Sequence, residues 1–417
     1  MQLLIKQATI LNPGSKLHLK KKDILIKNGI IEQIDSNIKI KTKTIDAQGA
    51  YLSIGWMDLF AHFGEPGFEH KETLQSGMQL AMQGGYTDVC IMPNTKPCVD
   101  NKSQVEAIKK QSGLVNLHPI GAISKKLEGQ SLSEMYDMHT GGAIAFSDGK
   151  KYVEAAGLFV KALQYVKSFN GLIIQVPDTP TLTQHGSMHE GALSTQLGLQ
   201  GKPEIAEKIA IQRDIELNQY ADSRLHIMGV STKLGIDEIQ KVKKKNPNLT
   251  CSVSPMHLLY TDAQLEHYDS TFKINPPLRS EQDRKALIKA IKEKNIDAIC
   301  SHHTPQDTDA KRVEFEYAQE GVITLQTMLH NLLAVTELEV TDWIELITSN
   351  PRKIAKLPIP NIKEKEQACL TLFSIDSQST FSSTENSSLS SNSPFINQTI
   401  QGQILATINN NKVFINE

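Results

Sequence analysis

A chain of 417 residues with 39% hydrophobic and 22% charged residues has an ordinary globular composition and more length than one simple core needs, so a large domain plus a small one is expected. Its 44 basic and 46 acidic residues leave a formal net charge of -2, which excludes partners that need a long-range field, such as nucleic acid or an anionic membrane. The five cysteines (Cys90, Cys98, Cys251, Cys300, Cys369) form no C-x-x-C pair and read as reduced, structural thiols.

The chain begins with alternating residues, Met1 to Leu11, that read as a strand rather than a leader, and no apolar run approaches ~18 residues. A cytoplasmic location is therefore expected. LLIKQATIL, DILIKNG and IIEQID are strands, with Asn28-Gly29 as a two-residue hairpin signal. At the other end CLTLFSI and QILATINNNKVFINE are strands again, separated by a Ser-rich tract, Ser374 to Ser393, that reads as an exposed loop. Residues 1–50 and 365–417 are thus expected to close one small β-sandwich domain.

Between them, eight β-rich runs alternate with helical-period segments: YLSIGWMDLFA from Tyr51, TDVCIMP from Thr87, VNLHPIGAI from Val115, GAIAFSD from Gly142, GLIIQVP from Gly171, RLHIMGV from Arg224, LTCSVSP from Leu249 and DAICSHH from Asp297. Eight β/α units in order predict a (β/α)8 TIM barrel over 51–364 with its site at the carboxyl ends of the strands.

The first run leads into Asp58-Leu59-Phe60-Ala61-His62-Phe63-Gly64-Glu65-Pro66-Gly67, then Phe68-Glu69-His70-Lys71-Glu72-Thr73. Further on come Gly84-Gly85-Tyr86-Thr87, Met92-Pro93-Asn94-Thr95, Ala145-Phe146-Ser147-Asp148-Gly149, Val230-Ser231-Thr232-Lys233, Asn275-Pro276-Pro277-Leu278-Arg279 and Ser349-Asn350-Pro351. In order and spacing this set resembles the bacterial dihydroorotases of the amidohydrolase superfamily over nearly the whole chain. The resemblance implies a barrel that holds zinc between histidines of a His-x-His-Leu-Arg-Glu-Pro-Gly segment and further donors at later strand ends.

The departures fall on those donors. Phe60 stands where the family has the first histidine, and a phenyl ring has no lone pair to give. Gly64 replaces the arginine that recognises the substrate carboxylate by a bidentate fork. Val176 aligns with the histidine after the fifth run, and Gly229 with the histidine after the sixth. In the eighth run His302-His303-Thr304-Pro305-Gln306 replaces Asp-His-Ala-Pro-His, so that His302 stands at the position of the carboxylate that binds metal and takes the proton. Of the family's ligands only His62 and Asp148 remain.

Each remaining residue also has a plain reading. His62 and His302 are expected as buried or hydrogen-bonded imidazoles, Asp148 as a turn or helix cap, and Asn94 and Asn275 as turn residues near a pocket. A sharper reading joins His62, Asp148 and His302 into a new metal group. Three functions follow from the resemblance: a catalytically inactive dihydroorotase-like subunit that supports assembly with aspartate transcarbamoylase, for which no metal cofactor is expected; an active enzyme interconverting N-carbamoyl-L-aspartate and L-dihydroorotate through a rearranged zinc site; or a binder of some other small molecule in a mouth lined by Phe60, Val176 and Met228. A homo-oligomer is expected in each case.

Overall fold

The computed structural model describes residues 1–416. Its central element is a parallel barrel whose strands follow chain order: Trp56–Ala61, Tyr86–Ile91, Asn116–Gly121, Ala145–Phe146, Leu172–Gln175, Arg224–Ile227, Leu249–Val253 and Ala298–Ile299. The ring closes where Ala61 bridges His303 and the His62 amide donates to the His303 carbonyl at 2.9 Å. Asp58 fastens the same seam, accepting from the Ser301 amide and hydroxyl, both at 2.7 Å. Burial pushes this carboxyl up to about 7, although the Ser301 hydrogen bonds oppose the shift.

Strand alternation sends one set of side chains inward and the other outward. Met57, Leu59, Cys90, Ile120, Ile174 and Cys300 belong to an apolar cluster that fills the barrel interior. The opposite faces pack against helices such as Leu74–Gln83, Ala156–Lys167, Glu204–Ala221 and Glu281–Lys292. Thr73 and Ser280 cap two of these by accepting from N3 amides, which satisfies donors that the first helical turn leaves free.

The termini meet in one connected sheet of eight strands, mostly antiparallel, with its own core of Ile5, Ile24, Leu52, Leu372 and Ile408 among others. The Asn28-Gly29 hairpin forms, both residues lying at positive φ (53° and 77°), as the right-handed twist of a two-residue turn requires. Tyr51–Ile54 departs from the sequence reading. It pairs with Thr9–Ile10 and with Leu370–Phe373 in the terminal sheet, and the barrel strand starts only at Trp56. A continuous apolar run conceals this division, because both halves are buried on both faces.

The Ser-rich tract is a second correction. Its first part extends the strand Leu370–Phe381, and the remainder crosses the carboxyl end of the barrel instead of lying free in solvent. Ser388 hydrogen-bonds the buried Glu72, Ser390 donates to the Lys71 carbonyl at 2.8 Å, and Asn392 donates to the Thr304 carbonyl and accepts from the Gln306 amide, both at 3.0 Å. Small polar side chains serve here as partners for buried backbone, a role that composition alone assigns to water. Asn392→Ala is expected to lower stability by about 1–3 kcal/mol, since it strands a buried donor and a buried acceptor; urea unfolding with an unchanged m-value checks this.

Candidate functional site

The carboxyl end of the first barrel strand delivers Phe60 and His62 to the mouth. The Phe60 ring stacks on His302, with centroids 4.4 Å apart and planes 17° from parallel. It meets His62 edge-on at 5.0 Å. Gly229 lies directly against the His302 imidazole: a Cβ there would come within 2.4 Å of His302 Cε1. His302 itself takes a left-handed backbone conformation, φ 52°, which few non-glycine residues adopt and which turns its ring into that gap. Phe60, Gly229 and His302 thus form one packed unit; Val176 and Met228 share the interior apolar cluster with Phe60, but only Phe60 and Val176 line the mouth, Met228 being fully buried beneath it.

This arrangement does not fit the zinc that the family resemblance implies. Three protein ligands and an open position are needed, whereas a phenyl ring, an isopropyl group and a glycine occupy three of the donor positions. The space of the third is filled by His302. Burial drives His302 down to about 3 and His62 well below the usual imidazole range, so both rings are neutral at pH 7. His62 Nε2 and His302 Nε2 are buried without partners.

Asp148 is turned away from them. One carboxylate oxygen accepts from the Ile123 and Ser124 amides, both at 2.9 Å, and the other from the Ser124 hydroxyl; Asn94 in turn donates to the Asp148 carbonyl at 3.0 Å. Asp148 and Asn94 therefore organise the loop after the fourth strand. His303 is buried, its Nδ1 accepting from the Thr324 amide at 3.2 Å and its Nε2 lying 3.8 Å from Glu72. Among the described residues, the His, Cys, Asp and Glu set whose ligand atoms all fall within 4.8 Å of one another is His189, Glu204 and Asp283, a group that sequence spacing gave no reason to join. Its members are already engaged: Arg279 stands 3.4 Å from His189 Nδ1 and Asp283 accepts from the Lys233 amide at 2.7 Å.

Gly64 sits in a closed turn in which the Phe68 amide donates to the Gly64 carbonyl at 2.8 Å. A Cβ at this position would lie 2.2 Å from the Phe68 carbonyl oxygen, so an arginine does not fit without moving the loop. Above this repacked floor a cavity of about 620 Å³ remains, lined by Phe60, Val176, His257, Asn275, His302 and Gln306 together with charged residues, Lys150 and Glu320 among them. Lys202 hydrogen-bonds Asn275 at 3.1 Å and pairs with Glu320. Lys150, which the sequence analysis does not single out, is exposed through the mouth, yet desolvation by the surrounding walls pushes its ammonium down to about 8.

No helix among the described residues is long and apolar enough to cross a membrane. The dihydro-orotase-like family matches residues 49–235. The chain is 35% identical over its whole length to the dihydroorotase of Acetivibrio thermocellus, covering 99% of that protein. It is 36% identical to the dihydroorotase of Ruminiclostridium cellulolyticum, over 98% of this chain and 97% of the relative. Among solved structures, the L-hydantoinase (dihydropyrimidinase) of Arthrobacter aurescens superposes with a TM-score of 0.84 at 21% identity, covering 99% of this chain and 95% of that one; a D-hydantoinase gives 0.84 at 18% identity, covering 100% and 96%. The structural likeness shows the fold, a closed parallel barrel with a sheet built from the termini, and the full-length identity establishes that the chain belongs to the dihydroorotase family.

Proposed function

We propose that this chain is a dihydroorotase-like protein of pyrimidine biosynthesis that lacks zinc-dependent hydrolysis and acts as an assembly partner of aspartate transcarbamoylase. The observation that carries the loss of hydrolysis is the packed unit of Phe60, Gly229 and His302. Without a Lewis acid, nothing at the barrel axis generates hydroxide or polarises the ring amide of dihydroorotate. The neutral His302 stands where the family has its proton-taking carboxylate. The partner role is supported by the contrast between this site and the rest of the chain, whose framework stays legible from end to end against full-length relatives. A framework kept without its chemistry is the pattern expected of a protein retained for its surface.

Purified without chelators, the chain is expected to carry less than about a tenth of an equivalent of zinc and to show no dihydroorotase activity in either direction, with or without added zinc. Mixed with the aspartate transcarbamoylase of its own host, it is expected to elute as a larger species. A full equivalent of metal with activity that is lost in His62→Ala would replace this reading by a rearranged amidohydrolase. Separate elution, with no change in transcarbamoylase activity, would remove the partner role.

A further inference from the structure

The end of the barrel opposite the mouth carries a second concavity, of about 380 Å³. It opens at the amino ends of strands five to eight: Leu172 and Arg224 begin two of them, Thr250 is the second residue of the next, and Asp297 precedes the last. Asn350, Lys353, Ile354 and Lys356, from the helix Ser349–Ala355 and the residue after it, complete the wall.

Its charged lining is Arg224, Lys353 and Lys356 against Asp297 alone. The Asp297 carboxylate is already engaged, pairing with Lys243 from outside the lining and accepting from the Cys251 amide at 2.8 Å. Arg224 donates to the Asn170 carbonyl at 3.1 Å and to the Ile354 carbonyl, and Lys353 donates to Asn350 Oδ1 at 3.0 Å. These acceptors are neutral, and among the described residues no carboxylate forms an ion pair with any of the three cations. Burial pulls Arg224 below its usual value with no acid to offset it, and Lys356 is pulled down by burial and by the Arg224 charge. Lys244 and Lys245, exposed after the helix Lys233–Lys243, add charge just ahead of the lining residues Pro247 and Asn248. A concave wall with one sign of charge focuses the field into the space it encloses.

We propose that this cavity binds a phosphomonoester of a small polyhydroxy compound, at a site separate from the mouth and independent of whether the mouth holds metal. Arg224 keeps N–H groups free for a phosphate, and Lys353 and Lys356 stand beside it as point charges. Asn170, Asn248 and Asn350 place amides on the walls, where hydroxyl groups find partners. Inorganic phosphate alone leaves most of the volume empty, whereas small organic ligands occupy sites of about 300–1,000 Å³. The bound dianion links the sixth strand to the helix Ser349–Ala355.

The test titrates the full chain calorimetrically with glucose 6-phosphate, glucose and inorganic phosphate. The ester is expected to saturate one site, to bind at least about tenfold more tightly than either of the others, and to weaken as salt is added. Lys353→Met combined with Lys356→Met, both at exposed positions, is expected to cost at least about tenfold in affinity with the thermal midpoint of the free chain unchanged. Arg224→Lys, which keeps the charge and loses the fork, also weakens binding, and Lys150→Met in the mouth leaves it as it was. No saturable binding of the ester, equal binding of inorganic phosphate, full affinity in the double variant, or loss of binding in Lys150→Met would overturn the proposal.

Discussion

Arg352→Met is expected to lower the free energy of unfolding by about 3–5 kcal/mol, the cost of leaving a buried charge without its partner. Arg352 is 1% exposed at the amino-terminal end of the barrel. Its guanidinium donates to the Gly55 carbonyl at 2.7 Å, the Thr348 carbonyl at 2.9 Å, the Thr87 hydroxyl at 3.0 Å and the Asp88 carboxylate. These groups come from the junction between the two domains, the second barrel strand and the last helix, so that one side chain ties together segments almost 300 residues apart. Methionine fills part of the volume but leaves Asp88 with Thr87, His118 and Asn116, at 2.9, 2.8 and 3.0 Å, as its remaining side-chain partners. Urea unfolding at pH 7 measures the difference.

The same site fixes the sign of a pH effect. Burial by itself raises Asp88, but the His118 hydrogen bond and the Arg352 charge outweigh it and hold the carboxyl well below the usual carboxylate range. A depressed folded-state value means that the unfolded chain takes up the proton first as pH falls. The stabilisation is therefore complete above about pH 4, the unfolded value, and declines as pH falls toward the folded one. In Arg352→Met the depression is smaller, so the stability gap between variant and parent is expected to narrow as pH drops below about 4. A gap that stays constant from pH 7 to pH 3 would show that Arg352 acts through its three carbonyl and hydroxyl contacts and not through Asp88.

The barrel was legible because its strands are local, apolar and separated by amphipathic helices, and because motifs such as Asn275-Pro276-Pro277 and Met92-Pro93-Asn94 fall on loops that the fold holds in place. The Tyr51 to Ala61 run was misdivided because a strand buried on both faces carries no periodicity to mark which sheet it joins. The Ser-rich tract was misread for a related reason: serine and asparagine are polar whether they face water or a buried carbonyl. The missing donors at Phe60, Val176 and Gly229 needed only residue identity and were visible at once. What replaced them was not. That His302 swings into the space beside Gly229 depends on a positive φ and on a stack with Phe60, two facts of three-dimensional packing between residues some 70 and 240 positions apart. The prominence of Lys150 depends on cavity walls that no sequence window contains.

That packing makes the second large effect a coupled one. Gly229→His alone is expected to destabilise the chain by about 2–4 kcal/mol, because its Cβ would overlap the His302 ring and the backbone at φ 74° strains any side chain. His302→Asp in the same chain is expected to recover the overlap part of that loss, since it withdraws the ring, and aspartate tolerates the left-handed conformation of position 302 better than most residues. Adding Phe60→His and Val176→His to the pair then supplies, with His62, enough donors for a closed set, and zinc content is expected to rise from less than a tenth to about one equivalent. Because the metal binds only the folded chain, zinc at about 100 times its dissociation constant should raise stability by about 2.7 kcal/mol, visible as a shift in the thermal midpoint that is absent from the parent. Hydrolysis of dihydroorotate is not expected to return with the metal. Gly64 leaves no room for the carboxylate-binding arginine while the Phe68 carbonyl stands 2.2 Å from its Cβ position. Zinc without turnover in the four-fold variant would therefore separate the two losses, one of donors and one of loop geometry, and a four-fold variant that takes up no zinc would show that the strand ends themselves have moved away from a metal-binding arrangement.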